Sequence, residues 1–337
     1  MVALQSGKRM SQIVYITEPV HPDAMTLLSD SNDIYVGNDT LARQDILRHV
    51  RGAKVLLSKT DPVLIDAELM ASAPDLRLVA RHGTGFSNVD LDYATENGIA
   101  VTIAAGLNTT AISEYTLGLM LAAARLIPQA STACAQGDPD RFQFRGLELT
   151  GKTFGIVGVG RIGRAVVERI AAFGMKVLAY HPRPSAKYLT DLPLELVGLD
   201  RLVAESDVIS LHMPLTKDTV DLIGVPEFEK MKSTAIVLNL SRGGVVNEAA
   251  LFDALLNNRI FSAATDVLAN EPVRANEPLL ELPNCLVLPH IAAMTLETQR
   301  ALAMSAAQSC LDALAGKAPP HIVNPKALQH PKWTTAI

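Results

Sequence analysis

The chain has 337 residues, 48% of them hydrophobic and 19% charged, with a formal net charge of −5. That length exceeds one ordinary core and predicts two domains, and the acidic balance argues against a nucleic-acid partner. Cys134, Cys285 and Cys310 are too widely spaced for a disulfide framework or a metal site, so a cytoplasmic setting and no metal are expected.

The first residues, MVALQSGKRMSQ, lack the apolar run of a signal peptide, and Met10 offers a second start. Strands are predicted at Ile13–Ile16, Asp33–Val36, Val55–Leu57, Leu76–Ala80 and Ile99–Ile103. Helices are predicted at His21–Ser29, at Leu41–Val50 behind an N-cap at Thr40, and at Asp66–Ala73. Strands separated by helices imply a parallel sheet covered on both faces, hence a small doubly wound α/β domain. In Thr109–Ile127, Ala111, Ile112, Tyr115, Leu119, Ala122 and Leu126 recur at helical spacing, and Pro128 is read as the stop. The apolar run Thr116–Ala124 is too short to span a bilayer, so no membrane partner is expected. Gln129–Glu148 is polar without a clear period, either an arm packed on a second subunit or a solvated linker.

Gly151–Pro184 reads as strand, turn, helix, strand. Gly158, Gly160 and Gly163 supply Gly-x-Gly-x-x-Gly between the apolar run TFGIVG and a helical period carried by Ile162, Val166, Ile170 and Phe173. Gly158 permits a tight turn, Gly160 lets a pyrophosphate approach the backbone, and Gly163 lets the helix pack close to the sheet. The tip of the second strand, where NAD-binding sites usually place a carboxylate, reads Tyr180-His181-Pro182-Arg183-Pro184. His181 would not repel a 2′-phosphate and Arg183 could pair with one, which favours NADP(H). NAD(H) stays open, with Arg183 then a solvated loop residue.

Further strands are predicted at Asp207–His212, Ala235–Leu240, Phe261–Asp266 and Cys285–Leu288. Helices are predicted near Leu199–Ala204, at Glu248–Asn257 behind Asn247, and at Leu296–Leu314. Ligands of open parallel sheets bind beyond the carboxyl ends of the strands. The polar residues there are His212, Asn239, Arg242, Asp266, Glu271 and His290, a set suited to acid–base chemistry on a carboxylated substrate.

From about Val55 to Pro325 the chain resembles the D-isomer-specific 2-hydroxyacid dehydrogenases. The resemblance rests on RHGTGFSNVDLDYATENGIAV, NTTAISEYTLGLMLAAAR, LTGKTFGIVGVGRIGRAVVERIAAFGMKVLAY, LHMPLTKDTVDLI, MKSTAIVLNLSRGGVVNEAAL, TDVLANEPV and LPHIAAMTLET. It implies a Rossmann cofactor domain over 109–290 and a smaller flavodoxin-like substrate domain from 1–108 and 291–337, with the active site in the cleft between them. It implies that His290 is the general acid/base, that Glu271 fixes its tautomer and raises its pKa, and that Arg242 grips the substrate carboxylate. Backbone N–H groups around His82, Gly83 and Thr84 should hold the other carboxylate oxygen. Arg161, Ile162 and Thr109 should lie at the phosphates, His212, Pro214 and Thr219 by the adenosine, Leu240 by the nicotinamide, and Asp266 at its carboxamide.

Phosphoglycerate dehydrogenases usually carry two arginines around Leu57-Ser58-Lys59, and here these positions are Leu57 and Lys59. The chain also ends soon after Pro325, without their serine-binding domain. A small unphosphorylated 2-keto acid such as glyoxylate or hydroxypyruvate is therefore the expected substrate, with Lys59 available to a second acidic group. A homodimer is implied. The alternatives are D-3-phosphoglycerate dehydrogenase, a corepressor-like interaction protein that senses NAD(P)H, and, more remotely, formate or phosphite oxidation.

Overall fold

Short apolar runs alternating with amphipathic segments commit this chain to parallel sheets, because each crossover has room for a helix. Residues 14–30, 32–37, 42–59, 63–138, 140–182, 189 and 191–334 are described by the structure, a computed structural model. The expectations for Ile13, Thr40, Leu41 and Arg183 lie outside these residues. The chain divides into two compact units, Met1–Asn108 with Thr295–Ile337, and Thr109–Met294.

In the smaller unit, β1 (Val14–Ile16), β2 (Ile34–Val36), β3 (Val55–Ser58), β4 (Leu78–Arg81) and β5 (Ala100–Thr102) form a parallel sheet in the order β2-β1-β3-β4-β5. Successive side chains take opposite faces. Tyr15, Leu56, Val79 and Val101 pack with Ile46, Leu69 and Met70 on one side. Val14, Ile16, Val55, Leu57 and Leu78 pack on the other with Leu28 and the helix Leu296–Leu314. That helix offers Ala303, Ala306, Ala307, Cys310 and Ala313 to the sheet, and their small size brings its backbone close. Asn324 stitches the tail to β5, accepting from Val101 N at 2.8 Å and donating to the Ile99 carbonyl at 2.9 Å.

In the larger unit seven strands follow: β6 (Thr153–Val157), β7 (Lys176–Tyr180), β8 (Glu195–Leu196), β9 (Val208–Leu211), β10 (Ile236–Asn239), β11 (Ser262–Thr265) and β12 (Cys285–Val287). They lie parallel in the order β12-β11-β10-β9-β6-β7-β8. Phe154, Ile156, Val177, Val208, Ile236 and Leu238 meet the helices Thr109–Arg125 and Arg161–Ile170 on one face. Val157, Leu178, Ile209, Leu211 and Val237 meet the helices Leu199–Glu205, Val225–Lys230 and Glu248–Leu256 on the other.

Two expectations are corrected. The long helix ends at Arg125, because Leu126 adopts φ 54° and ψ 36°. A second helix, Ile127–Ala135, then departs at 62° through the segment read as aperiodic. Pro128 does not stop a helix but sits in the first turn of this one, where a missing N–H breaks no intrahelical bond. The second division of the chain falls after Met294, not after residue 290. Ala292 is buried in the larger unit's core, and Ile291 and Ala292 donate their N–H groups to Asp266. Among the described residues, no single helix is long and apolar enough to cross a membrane.

Candidate active site

β6 lies between β7 and β9, where the strand order of the larger sheet reverses, the usual ligand position in such sheets. The chain leaves it through Gly158 at φ 98°. A Cβ there would stand 2.5 Å from Met213 Cγ and 2.7 Å from the His212 carbonyl oxygen. A Cβ on Gly163 would stand 2.3 Å from the Gly158 carbonyl oxygen, so helix and turn touch backbone to backbone. A Cβ on Gly160 would meet nothing within 4 Å. The protein's own packing thus requires two of the glycines, while the third faces open space. Gly160 is the N-cap of the helix Arg161–Ile170 and offers no capping side chain. The N–H groups of Arg161, Ile162 and Gly163 have no intrahelical acceptor, and the positive end of the helix dipole adds to their pull on an anion. These residues fit a dinucleotide pyrophosphate. Thr109 opens the long helix that packs along this one.

Around the turn, His181 follows β7 and its Nδ1 is buried without a protein partner. His212 follows β9, its Nε2 2.9 Å from Ser210 Oγ and its Nδ1 buried and unpartnered. Burial lowers the His212 pKa to about 4, so this ring is neutral. Thr219 does not reach outward. Its hydroxyl donates to the Pro214 carbonyl at 2.7 Å and accepts from Thr216 N at 2.7 Å, closing the turn after Pro214. Leu240 is buried in the core face beneath β10.

The polar strand-end residues of this unit converge. Asn239 folds the turn after β10: its Oδ1 accepts from Ser241 Oγ at 2.7 Å and its Nδ2 donates to the Arg242 carbonyl at 3.1 Å. Arg242 donates to the Ser241 carbonyl at 2.7 Å, and its charge is felt by both Glu271 and His290. Glu271 Oε1 accepts from Leu268 N at 3.0 Å, and Oε2 stands 2.8 Å from His290 Nδ1. His290 itself sits at φ 57°, a conformation rare for a side-chain-bearing residue. The Glu271 hydrogen bond raises the pKa of His290 above its ordinary value, against burial and Arg242 and with help from Asp266. Burial works against the Glu271 charge, but the bond and charge of His290 prevail and hold its pKa below the usual value. With Nδ1 held, Nε2 is the ring nitrogen left for proton transfer.

Asp266 is 1% exposed, and its two oxygens accept the N–H groups of Ile291 at 2.9 Å and Ala292 at 2.8 Å. Any carboxamide contact has to use the remaining lone pairs. Burial raises its pKa, opposed by those two bonds. Sequence reasoning did not single out Tyr115 for the site. Burial and the Asp266 charge push its pKa to about 12, and its hydroxyl is buried without a protein partner. Its helical spacing marked it only as core.

In the smaller unit, Lys59, His82, Gly83 and Thr84 follow β3 and β4. The His82 N–H already donates to the Ser58 carbonyl at 2.9 Å. His82 is 7% exposed, and burial with the Lys59 and Arg81 charges drives its ring to a pKa of about 4, so it carries no charge at neutral pH. Lys59 Nζ donates to the Pro19 carbonyl at 3.2 Å. Gly83 has φ 155°, and a Cβ there would meet nothing within 4 Å. Arg81, not flagged from sequence, is 2% exposed and braces this loop through the Gly85 carbonyl at 3.1 Å and Ser58 Oγ at 2.8 Å.

Residues 117–292 match the family described as D-isomer specific 2-hydroxyacid dehydrogenase, NAD binding domain. A D-3-phosphoglycerate dehydrogenase of Archaeoglobus fulgidus is 40% identical over 304 residues, covering 90% of this chain and 57% of its own length. This chain therefore spans little more than half of that relative. A glyoxylate reductase of Thermofilum pendens is 38% identical over 325 residues, covering 94% of this chain and 95% of its own. The crystal structure of an NADPH-dependent glyoxylate/hydroxypyruvate reductase from Sinorhizobium meliloti, in complex with NADP and malonate, superposes with a TM-score of 0.81. It is 26% identical and covers 94% of this chain and 98% of that one. Sequence, strand order and the grouping of strand-end residues agree, and the chain belongs to the D-isomer-specific 2-hydroxyacid dehydrogenases.

Proposed function

We propose that the protein is an NAD(P)H-dependent oxidoreductase that reduces a small 2-keto acid, such as glyoxylate or hydroxypyruvate, to its D-2-hydroxy acid. The larger unit is the cofactor domain and the smaller one the substrate domain. The observation that carries the reading is the His290–Glu271 pair at 2.8 Å, with Arg242 close enough to perturb both. A bound reduced nicotinamide supplies the hydride. His290 in its imidazolium form gives the Nε2 proton to the ketone oxygen as that oxygen gains charge, and neutral imidazole takes it back in the oxidative direction. Glu271 holds Nδ1–H, so the ring neither flips nor changes tautomer, and stabilises the charged form before transfer. Arg242 presents a planar fork to the substrate carboxylate and draws electrons from the adjacent carbonyl. Gly83 and Thr84 contribute an anion-binding loop.

NADP(H) is the proposed cofactor. No carboxylate follows β7 at Tyr180–Pro182, and His181 Nδ1 is buried without a protein partner. The Sinorhizobium relative is NADPH-dependent. A panel of glyoxylate, hydroxypyruvate and 3-phosphohydroxypyruvate, each with NADPH and NADH, tests this. The expected result is fastest turnover of an unphosphorylated acid with NADPH. Equal or better rates with NADH would overturn the cofactor assignment. Preference for the phosphorylated acid would favour the second reading, D-3-phosphoglycerate dehydrogenase, the name of several relatives that this chain covers for under 60% of their length. Tight NADPH binding with no turnover on any keto acid would favour a nucleotide-sensing interaction protein.

The partner proposed is a second copy of this chain. The helix Ile127–Ala135 buries none of its residues, and Ile127 and Phe142 stand 54% and 64% exposed. Large apolar groups left outside in this way mark interaction surfaces. Light scattering on the purified protein is expected to give twice the chain mass of 36.1 kDa, and a monomer would refute the assignment.

A further inference from the structure

The turn that carries Glu271 is held from outside by a residue with no place in the chemistry described so far. After β11, Thr265 Oγ1 donates to the Val267 carbonyl at 2.6 Å, Leu268 is 4% exposed, and the Leu268 N–H donates to Glu271. The next N–H, that of Ala269, donates to Glu248 Oε1 at 2.6 Å. Glu248 is the first residue of the helix Glu248–Leu256, which follows the Arg242 turn. A glutamate there ordinarily faces its own helix's amides or solvent. Asn247 already caps this helix through the Ala250 N–H at 2.9 Å, and Glu248 reaches across to another loop.

The peptide it holds, Leu268–Ala269, is the one on which Gly243 lies. A Cβ on Gly243 would stand 2.0 Å from the Leu268 carbonyl carbon and 2.3 Å from Ala269 N. One peptide plane is thus fixed twice from the Arg242 segment, by the backbone of Gly243 and by the carboxylate of Glu248. The peptide before it supplies the N–H that orients Glu271. We propose that Glu248 is a positioning residue of the acid–base pair: by holding the Ala269 N–H it fixes the turn that aims Glu271 at His290. The proposal rests on the oxidoreductase reading only for its kinetic readout.

His290 faces Glu271, Asp266 and Arg242, and Glu248 is half-buried beside Glu271 and Glu277. Burial raises the pKa of Glu248, and the Ala269 N–H opposes that rise. Glu248→Ala removes both acceptor and charge, and Glu248→Gln keeps an acceptor without the charge. In the full chain, imidazole NMR resonances are followed against pH, with His290 assigned by its loss in His290→Gln. Glu248→Ala is expected to lower the His290 pKa toward its ordinary value and to cut keto-acid kcat roughly tenfold or more, the scale of a small misplacement. Glu248→Gln is expected to keep both near wild type. A residue that merely stabilised the fold would lower the melting temperature and leave the His290 titration in place. An unshifted His290 titration in Glu248→Ala, or an equal shift in Glu248→Gln, overturns the proposal. If Glu248→Ala fails to fold, Glu248→Asp, which withdraws the acceptor by one methylene, takes its place, with the same shift expected and no shift overturning the proposal. If the wild type reduces no keto acid yet the shift is seen, the positioning role stands and the oxidoreductase reading falls.

Discussion

His290→Ala is expected to lower kcat for keto-acid reduction by about 10²–10⁴-fold, the range in which a positioned general acid contributes, or roughly 3–5 kcal/mol of barrier. The dissociation constant of the reduced cofactor should hardly change, because the glycine turn proposed to hold its pyrophosphate, Gly158–Gly163, is built from other elements. The wild-type pH profile follows from the same residue. Its pKa is raised by Glu271, so reduction, which needs imidazolium, should fall as pH rises through that raised value, and oxidation should rise. The stability linkage has matching signs. His290 contributes stability that is fully present below its unfolded pKa of about 6.5 and is lost as pH rises through the raised folded value. Glu271 contributes stability present above its unfolded pKa and lost as pH falls through its depressed folded value. His290→Ala should therefore flatten the alkaline side of the stability profile as well as remove the rate. Steady-state kinetics and cofactor fluorescence titration check both halves. Wild-type turnover in His290→Ala would remove the acid–base role.

Which of these features are legible in the residues and which are hidden is a matter of range. The glycine turn was legible because its three glycines fall within six residues, in a spacing that reads directly from the sequence. The alternating sheet was legible because strand and helix periods differ. The His290–Glu271 pair could be named only through family motifs, since no spacing rule joins residues that meet across two loops. The break at Leu126 was hidden because a leucine in the left-handed region has no sequence signature, and Pro128 then looked like a stop rather than a start. β8 is two exposed residues, too short for any period to register. The engagement of both Asp266 oxygens by backbone N–H groups was invisible for a different reason. Peptide groups are present everywhere in the sequence, so a side chain whose partners are backbone leaves no second letter to find. Glu248, whose carboxylate accepts from the Ala269 N–H, was missed on the same ground.

Gly243→Ala is the second substitution expected to act strongly, and it acts without touching a reacting group. The new Cβ would stand 2.0 Å from the Leu268 carbonyl carbon, 2.1 Å from its oxygen and 2.3 Å from Ala269 N. All three are backbone atoms, so no rotamer change relieves the overlap. Leu268 is 4% exposed and anchored in the core beneath β10 and β11, so its peptide cannot withdraw inward. The Arg242 turn has to move instead, or the Glu271 turn is pushed off its two fixing contacts. Either way, the guanidinium and the imidazole lose their shared frame. A misplacement of about 1 Å costs on the order of 10²-fold, and overpacking of this kind costs about 1–3 kcal/mol of stability. The expected result is a fall in kcat/KM of that order in protein that is still folded at the assay temperature, as circular dichroism can establish. Because both changes act through the same guanidinium, Gly243→Ala should add little to Arg242→Ala in the double variant. A fully additive pair would mean that the two turns are independent, and a Gly243→Ala enzyme with wild-type kcat/KM would mean that the close approach of these backbones does not set the catalytic geometry.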